Sequence, residues 1–208
     1  AAPGILIDIP TTAIKSESNC LLEISFSLFD SLLFGFDIFL FNCAASLEIV
    51  LFSNTAVGKN ALYLNSFGAY NVAVGFNSLS GNQTGSSNIA IGVRALNSNI
   101  SGSNLVAIGD SALYNEISIE GRNTAVGSKA LFANTMGFFN TATGSRTLTS
   151  NTTGSYNTAT GMESMFSNTT GEDNSAIGSS ALFSNTSGSR NTAMGSGAMS
   201  GSLTGNDN

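Results

Sequence analysis

The sequence contains no histidine and no tryptophan, and charged residues make up only 10% of its 208 residues. The absence of histidine excludes His-based acid–base catalysis and His-ligated metal sites. Seven basic residues against thirteen acidic ones give a formal net charge of -6. That balance has the wrong sign for a protein that neutralises a nucleic-acid backbone or binds an anionic membrane. We therefore expect no enzyme, no cofactor, no metal and no nucleic-acid partner.

Proline is equally scarce: it occurs only at positions 3 and 10, whereas glycine occurs 23 times and asparagine 24 times. Glycine and asparagine adopt left-handed turn conformations readily, and proline removes a backbone N–H from a sheet. This composition is typical of many tight turns between hydrogen-bonded strands. Since 42% of the residues are hydrophobic, the chain also has enough apolar material for a core.

Composition divides the chain near Ser53. Residues 1–53 contain seven of the 14 phenylalanines, both cysteines and six of the thirteen acidic residues, with Lys15 as the single base. Alternating apolar residues between Leu21 and Phe52 favour strands. No uncharged run approaches the roughly 18 residues of a membrane helix, and no basic segment precedes the apolar part, so we expect neither a membrane span nor a signal peptide. We interpret residues 1–53 as a Phe-rich cap or as an assembly segment between subunits.

Cys20 and Cys43 each follow an asparagine. A disulfide in an oxidising compartment and two buried free thiols are equally compatible with this pair. The pair lacks the CxxC spacing that a redox or metal-binding role would favour.

Residues 54–208 contain nine copies of one repeat. An alanine recurs every seventeen residues, with one interval of eighteen, and a glycine always follows two positions later. These alanines are Ala56, Ala73, Ala90, Ala107, Ala125, Ala142, Ala159, Ala176 and Ala193. A repeat in register over about three quarters of the chain predicts a solenoid.

The unit N-[TVI]-A-[VIT]-G-x-x-[AST]-[LM]-x-x-N-x-x-G-x-x predicts two short extended segments separated by glycine-containing turns. The predicted fold is all-β: a parallel β-solenoid, or β-roll, of nine 17-residue coils preceded by a strand-rich hydrophobic N-terminal segment. Stacked at about 4.8 Å, the coils would form a rod on the order of 40 Å long.

Parallel stacking places equivalent side chains over one another and predicts two columns of asparagine, whose amides can donate to one neighbouring coil and accept from the other. The first column heads the coils and consists of Asn54, Asn71, Asn88, Asn123, Asn140, Asn157, Asn174 and Asn191. The second consists of Asn65, Asn82, Asn99, Asn134, Asn151, Asn168 and Asn185.

The orientation of each segment decides which surface the rod presents. We expect the β-branched residues that flank alanine to point inward, which leaves a flat outer stripe of alanine and glycine that favours lateral association. In the second segment the Leu or Met points inward and turns its neighbour outward. Five such neighbours are aromatic, and they predict a contact surface or a layer over an adjacent turn. They are Tyr63, Tyr114, Phe132, Phe166 and Phe183.

The sequences NTAVGSKAL (Asn123–Leu131), NTATGSRTL, NTATGMESM and NSAIGSSAL resemble the head repeats of trimeric autotransporter adhesins and related repeats in phage tail fibres and bacterial surface proteins. The resemblance covers residues 54–207. It implies a left-handed β-roll, trimeric assembly and adhesion to host or matrix molecules. Those heads have a somewhat shorter unit, and the extra N-T-x-G segment enlarges the second turn here.

These features favour an extracellular, cell-surface or virion-fibre rod that forms a homo-oligomer or homopolymer and attaches to a host, matrix or surface receptor. The alternative is an ice-binding solenoid, because threonine columns on a flat solenoid can order water. Its candidate residues are Thr141, Thr143, Thr158 and Thr160.

Two carboxylate groups in the repeat region are expected to be solvated turn residues. They are Glu116 with Glu120, and Glu163 with Glu172 and Asp173. Five N-glycosylation sequons, at Asn82, Asn99, Asn151, Asn168 and Asn185, arise from the repeat itself.

Overall fold

The computed structural model describes residues 21–23, 38–43, 46–51, 53–119, 121–201 and 204–208. Strands β1 (Leu21–Glu23), β2 (Ile38–Cys43) and β3 (Ser46–Leu51) form an antiparallel sheet in the order β1-β2-β3. The expected strand-rich character of this segment is confirmed for those three stretches. The cap or assembly role of residues 1–53 and the thiol state of the cysteines rest on side chains outside the described part of the chain.

Each repeat contributes one three-residue strand to a nine-stranded parallel sheet that follows sequence order. Equivalent residues pair, as Ala142 pairs with Ala159. The fold is therefore the expected all-β parallel solenoid of coils of about seventeen residues. Within the described ranges there is no helix, and so none that could cross a membrane. The strands are β4 (Thr55–Val57), β5 (Val72–Val74), β6 (Ile89–Ile91), β7 (Val106–Ile108), β8 (Thr124–Val126), β9 (Thr141–Thr143), β10 (Thr158–Thr160), β11 (Ser175–Ile177) and β12 (Thr192–Met194).

The prediction of a second extended segment in each coil is wrong. After β9 the chain runs through consecutive turns over residues 144–150, in which Arg146 and Leu148 have φ of 57° and 50°. These left-handed conformations cannot belong to a strand. Hydrogen bonds between coils nevertheless continue through the turns, since the Leu148 N–H donates to the Ser164 carbonyl oxygen over 3.0 Å.

The prediction for the strand face is also wrong, because the alanines point inward. The strand alanines from Ala73 to Ala176 are fully buried, and their flanking residues are exposed or half-buried. The reason is space. Most equivalents of Leu148 and most of both asparagine columns are buried in the same narrow interior, which leaves room for only a methyl group at each strand.

The glycine after each strand belongs to this narrow geometry. Gly144 has φ of 131°, and a Cβ atom placed on it would lie 2.7 Å from the carbonyl oxygen of Gly161 in the next coil. Both the backbone conformation and the contact therefore require glycine at this position.

Candidate functional sites: the asparagine columns and the strand face

The first asparagine column bonds both within a coil and between coils. The Nδ2 of Asn140 donates to the carbonyl of Gly154 in the same coil over 2.8 Å, and its Oδ1 accepts from the backbone N–H of Asn157 over 3.0 Å. The same two bonds occur at all the other members of the column: Asn54, Asn71, Asn88, Asn123, Asn157, Asn174 and Asn191. Each amide thus closes one coil and fixes the position of the next.

The second column is a side-chain ladder. The Nδ2 of Asn151 donates to Asn134 Oδ1 in the preceding coil over 2.7 Å, and its Oδ1 accepts from Asn168 Nδ2 over 2.8 Å. Asn151 also donates to the Gly154 carbonyl, which already accepts from Asn140, so the two columns meet at one oxygen. At the end of the ladder, Asn185 Oδ1 is buried without a partner among the described atoms.

The five sequon asparagines all belong to this ladder. All five have no exposed surface, and each donates its Nδ2 to the Oδ1 of the preceding asparagine of the column. Attachment of a glycan to any of these amides would require the coil to open.

In the fourth coil, Leu105 and Glu116 stand where seven of the other eight coils place the two asparagines. Glu116 has no exposed surface and is not the solvated turn residue that we expected. Its Oε2 accepts from Asn123 Nδ2 over 2.9 Å and from Asn134 Nδ2 over 2.7 Å, and its Oε1 accepts from the Ser118 N–H over 2.9 Å. Burial raises the pKa of Glu116 to about 7, although the three donors oppose this.

The place of Glu116 in the second asparagine column was not predicted from the sequence, although the repeat interval indicates it. Glu116 lies seventeen residues after Asn99 and eighteen before Asn134, so counting along the second column reaches it. Of the other carboxylates, Glu163 pairs with Arg146 over 2.7 Å, and Glu172 and Asp173 are exposed. Glu120 lies outside the described residues.

Four of the five aromatic residues of the expected contact surface stack in pairs between neighbouring coils. Tyr114 stacks on Phe132 with ring centroids 5.3 Å apart, and Phe166 stacks on Phe183 at 5.2 Å. These four are half-buried, whereas Tyr63 is 71% exposed. A role in stabilising the stack of coils is therefore evident for the stacked pairs, and a role in binding stays a prediction.

The outward side chains of the nine-stranded sheet form two columns, named here the strand face. It includes all four candidate ice-binding threonines, which are exposed and paired in register, Thr141 with Thr158 and Thr143 with Thr160. No member of the strand face is charged. The first column is Thr55, Val72, Ile89, Val106, Thr124, Thr141, Thr158, Ser175 and Thr192, and the second is Val57, Val74, Ile91, Ile108, Val126, Thr143, Thr160, Ile177 and Met194.

A scan against protein-family models, a search of curated proteins and a search of solved structures returned no match. Among the described residues, no group of three or more Cys, Asp or Glu side chains is arranged to hold a metal ion. The molecule is thus defined by its fold, a parallel β-solenoid built from repeats, and by two features of that fold: a bonded asparagine interior and an uncharged strand face.

Proposed function

We propose that the protein is a non-enzymatic structural rod, displayed outside the cell or on a virion, whose copies associate through the strand face and which mediates attachment to a surface. The resemblance of its repeats to adhesin heads supports this proposal. The observation that carries it is the strand face, because a surface of exposed and half-buried apolar and hydroxyl side chains without one charge is typical of a contact surface.

The charges of the rod lie elsewhere. Arg146 pairs with Glu163 in the turns, Arg190 pairs with Asp207 outside the strands, and Lys129 is a turn residue. Because the charged residues of the rod lie outside its strands, the sheet is free for contact with another apolar surface, where an unpaired charge would be costly to bury. A second copy of the chain presents such a surface.

The area of the strand face indicates how far the contact extends. Nine strands at about 4.8 Å, each three residues long, cover roughly 400 Å², about half of what one partner contributes to a standard interface. The exposed apolar residues that follow the strands, Phe76, Val93 and Met162, would extend the surface. We include them in the proposed interface.

The test compares two isoleucines of one coil. Ile91 belongs to the strand face and is 38% exposed, and Ile100 lies in a turn and is 48% exposed. We expect wild-type protein to have a molar mass that is a multiple of 21.3 kDa by light scattering. Ile91→Lys should reduce the mass to that of one chain, because it buries a charge, and Ile100→Lys should leave it unchanged. Equal effects of the two substitutions, or a wild-type monomer at all concentrations, would contradict the proposal.

Ice binding is the second candidate function, and one observation favours it. The outward orientation of the strand-flanking residues places Thr141, Thr143, Thr158 and Thr160 in a two-by-two array, with neighbouring coils about 4.8 Å apart. Regularly spaced hydroxyl and methyl groups of this kind can order water.

Thermal hysteresis separates this candidate from the first. An ice-binding face should give hysteresis that Thr158→Lys abolishes and Ile100→Lys preserves. Hysteresis equal to that of buffer in the wild-type protein would remove the candidate.

A further inference from the structure

Glu116 interrupts a ladder in which every step needs both a donor and an acceptor. A ladder asparagine donates to the coil before it and accepts from the coil after it, as Asn151 does. An ionised carboxylate only accepts. In the coil before Glu116, Asn99 Oδ1 accepts instead from the backbone N–H of Gly102 over 3.0 Å.

The bonds of Glu116 to other side chains therefore reach only one of its two neighbouring coils. Its side-chain partners, Asn123 and Asn134, both belong to the following coil. Leu105, which replaces the first-column asparagine beside it, has no polar side chain to bond with. A neutral carboxylic acid would restore the missing donor, because its O–H is the counterpart of the absent amide N–H.

Among the described residues, no cation compensates the buried carboxylate of Glu116. Burial and the neutral donors Asn134, Ser118 and Asn123 are the influences on its pKa, and no charged group is among them. Glu120 lies outside the described residues. The titratable side chains in the three coils that contain or contact Glu116 are Arg94, Asp110, Tyr114, Glu120, Arg122 and Lys129.

We propose that Glu116 makes the fourth coil a pH-sensitive joint of the rod, in which the protonated acid holds the described residues around it, 115–119, 121 and 122, against the neighbouring coils and the ionised form loosens them. This coil is also the one with eighteen residues, so the repeat is irregular where the carboxyl group is buried. The inference does not depend on self-association, since every contact that carries it lies within one chain.

The direction of the pH effect follows from proton linkage. The pKa of Glu116 is about 7 in the closed coil against an ordinary value of 4.5. The closed form therefore binds the proton more tightly than the open form. The equilibrium constant for closing the coil is therefore largest below about pH 4.5. It falls about tenfold per pH unit up to about pH 7 and stays constant above it.

Hydrogen–deuterium exchange of the amides of residues 115–122 tests the joint. Wild type is compared with Glu116→Gln, which cannot ionise, at pH 5.5 and pH 8.5, so that the intrinsic pH dependence of exchange cancels at each pH. We expect the ratio of wild-type to variant exchange rates to rise roughly 30-fold between the two pH values. Glu163→Gln, at an exposed ion pair with Arg146, should show no such rise. A ratio that is the same at both pH values would overturn the proposal.

A titration of the wild-type protein keeps the test decisive if Glu116→Gln does not fold. The carboxyl carbon of Glu116, followed by NMR, should titrate near pH 7, and the amide signals of residues 115–122 should change with the same midpoint. A midpoint near the ordinary value, or amide signals that do not follow the carboxyl group, would overturn the proposal.

Discussion

At the scale of single residues, the asparagines of the two columns have different roles in this rod. Asn140 closes its own coil through Gly154, whereas Asn151 bonds to equivalent amides above and below it. A buried amide with these partners is valuable because each partner would otherwise be an unsatisfied polar group in the interior.

Replacement of a ladder asparagine should therefore be costly. Asn151→Ala removes the partner of Asn134 Oδ1 and of Asn168 Nδ2, and we expect a loss of about 3 kcal/mol in the free energy of unfolding. Asn97→Ala is the matched control, because Asn97 is half-buried and water can replace its bonds, so the loss should stay below about 1 kcal/mol. Urea denaturation measures both. Equal losses would show that the ladder has no special role.

The asparagine columns could be predicted from the sequence because parallel stacking repeats every contact at the repeat interval. Their bonding could not be predicted fully, since the donation from Asn140 to Gly154 depends on how the turn folds back on the coil. Glu116 was identified only as a carboxylate in a turn, because its place in the second column is apparent only when the intervals of seventeen and eighteen residues on either side of it are counted.

At the scale of the strand, the width of the interior, rather than the hydrophobicity of the side chains, decides which residues face inward. The pattern around Ala142 shows which residues alternate, but it does not state which side faces in. The preference of β-branched residues for a core led to the wrong prediction of which side chains are buried. The side chains of Leu148 and the asparagines already fill the interior of the coil. The left-handed conformation of Leu148 could not be predicted either, because leucine rarely adopts it.

A pair of valine substitutions tests the orientation of the strand. Ala142→Val adds two methyl groups to the filled interior and should lower the free energy of unfolding by about 1–3 kcal/mol. Thr143→Val changes an exposed neighbour and should stay within about 0.5 kcal/mol of wild type. Denaturant midpoints of the two variants give the comparison. A larger loss for Thr143→Val would reverse the orientation described above.

At the scale of the whole molecule, the stack of coils follows from the repeat alone. Once equivalent residues pair in register, as Ala142 pairs with Ala159, coil number sets position along the axis. Both proposed activities depend on that regularity, because the strand face is flat only if the coils are evenly spaced. The pH-sensitive joint is a local exception at the one irregular coil.

Distances between spin labels along the second column of the strand face test the stack most directly. Val57→Cys is paired in turn with Thr143→Cys, Thr160→Cys, Ile177→Cys and Met194→Cys, in a background in which Cys20 and Cys43 are replaced by serine. Samples are diluted with unlabelled protein so that only distances within one chain are measured by pulsed electron paramagnetic resonance. The account predicts distances of about 24, 29, 34 and 38 Å, which increase by about 4.8 Å for each added coil. Distances that do not increase in equal steps would contradict it.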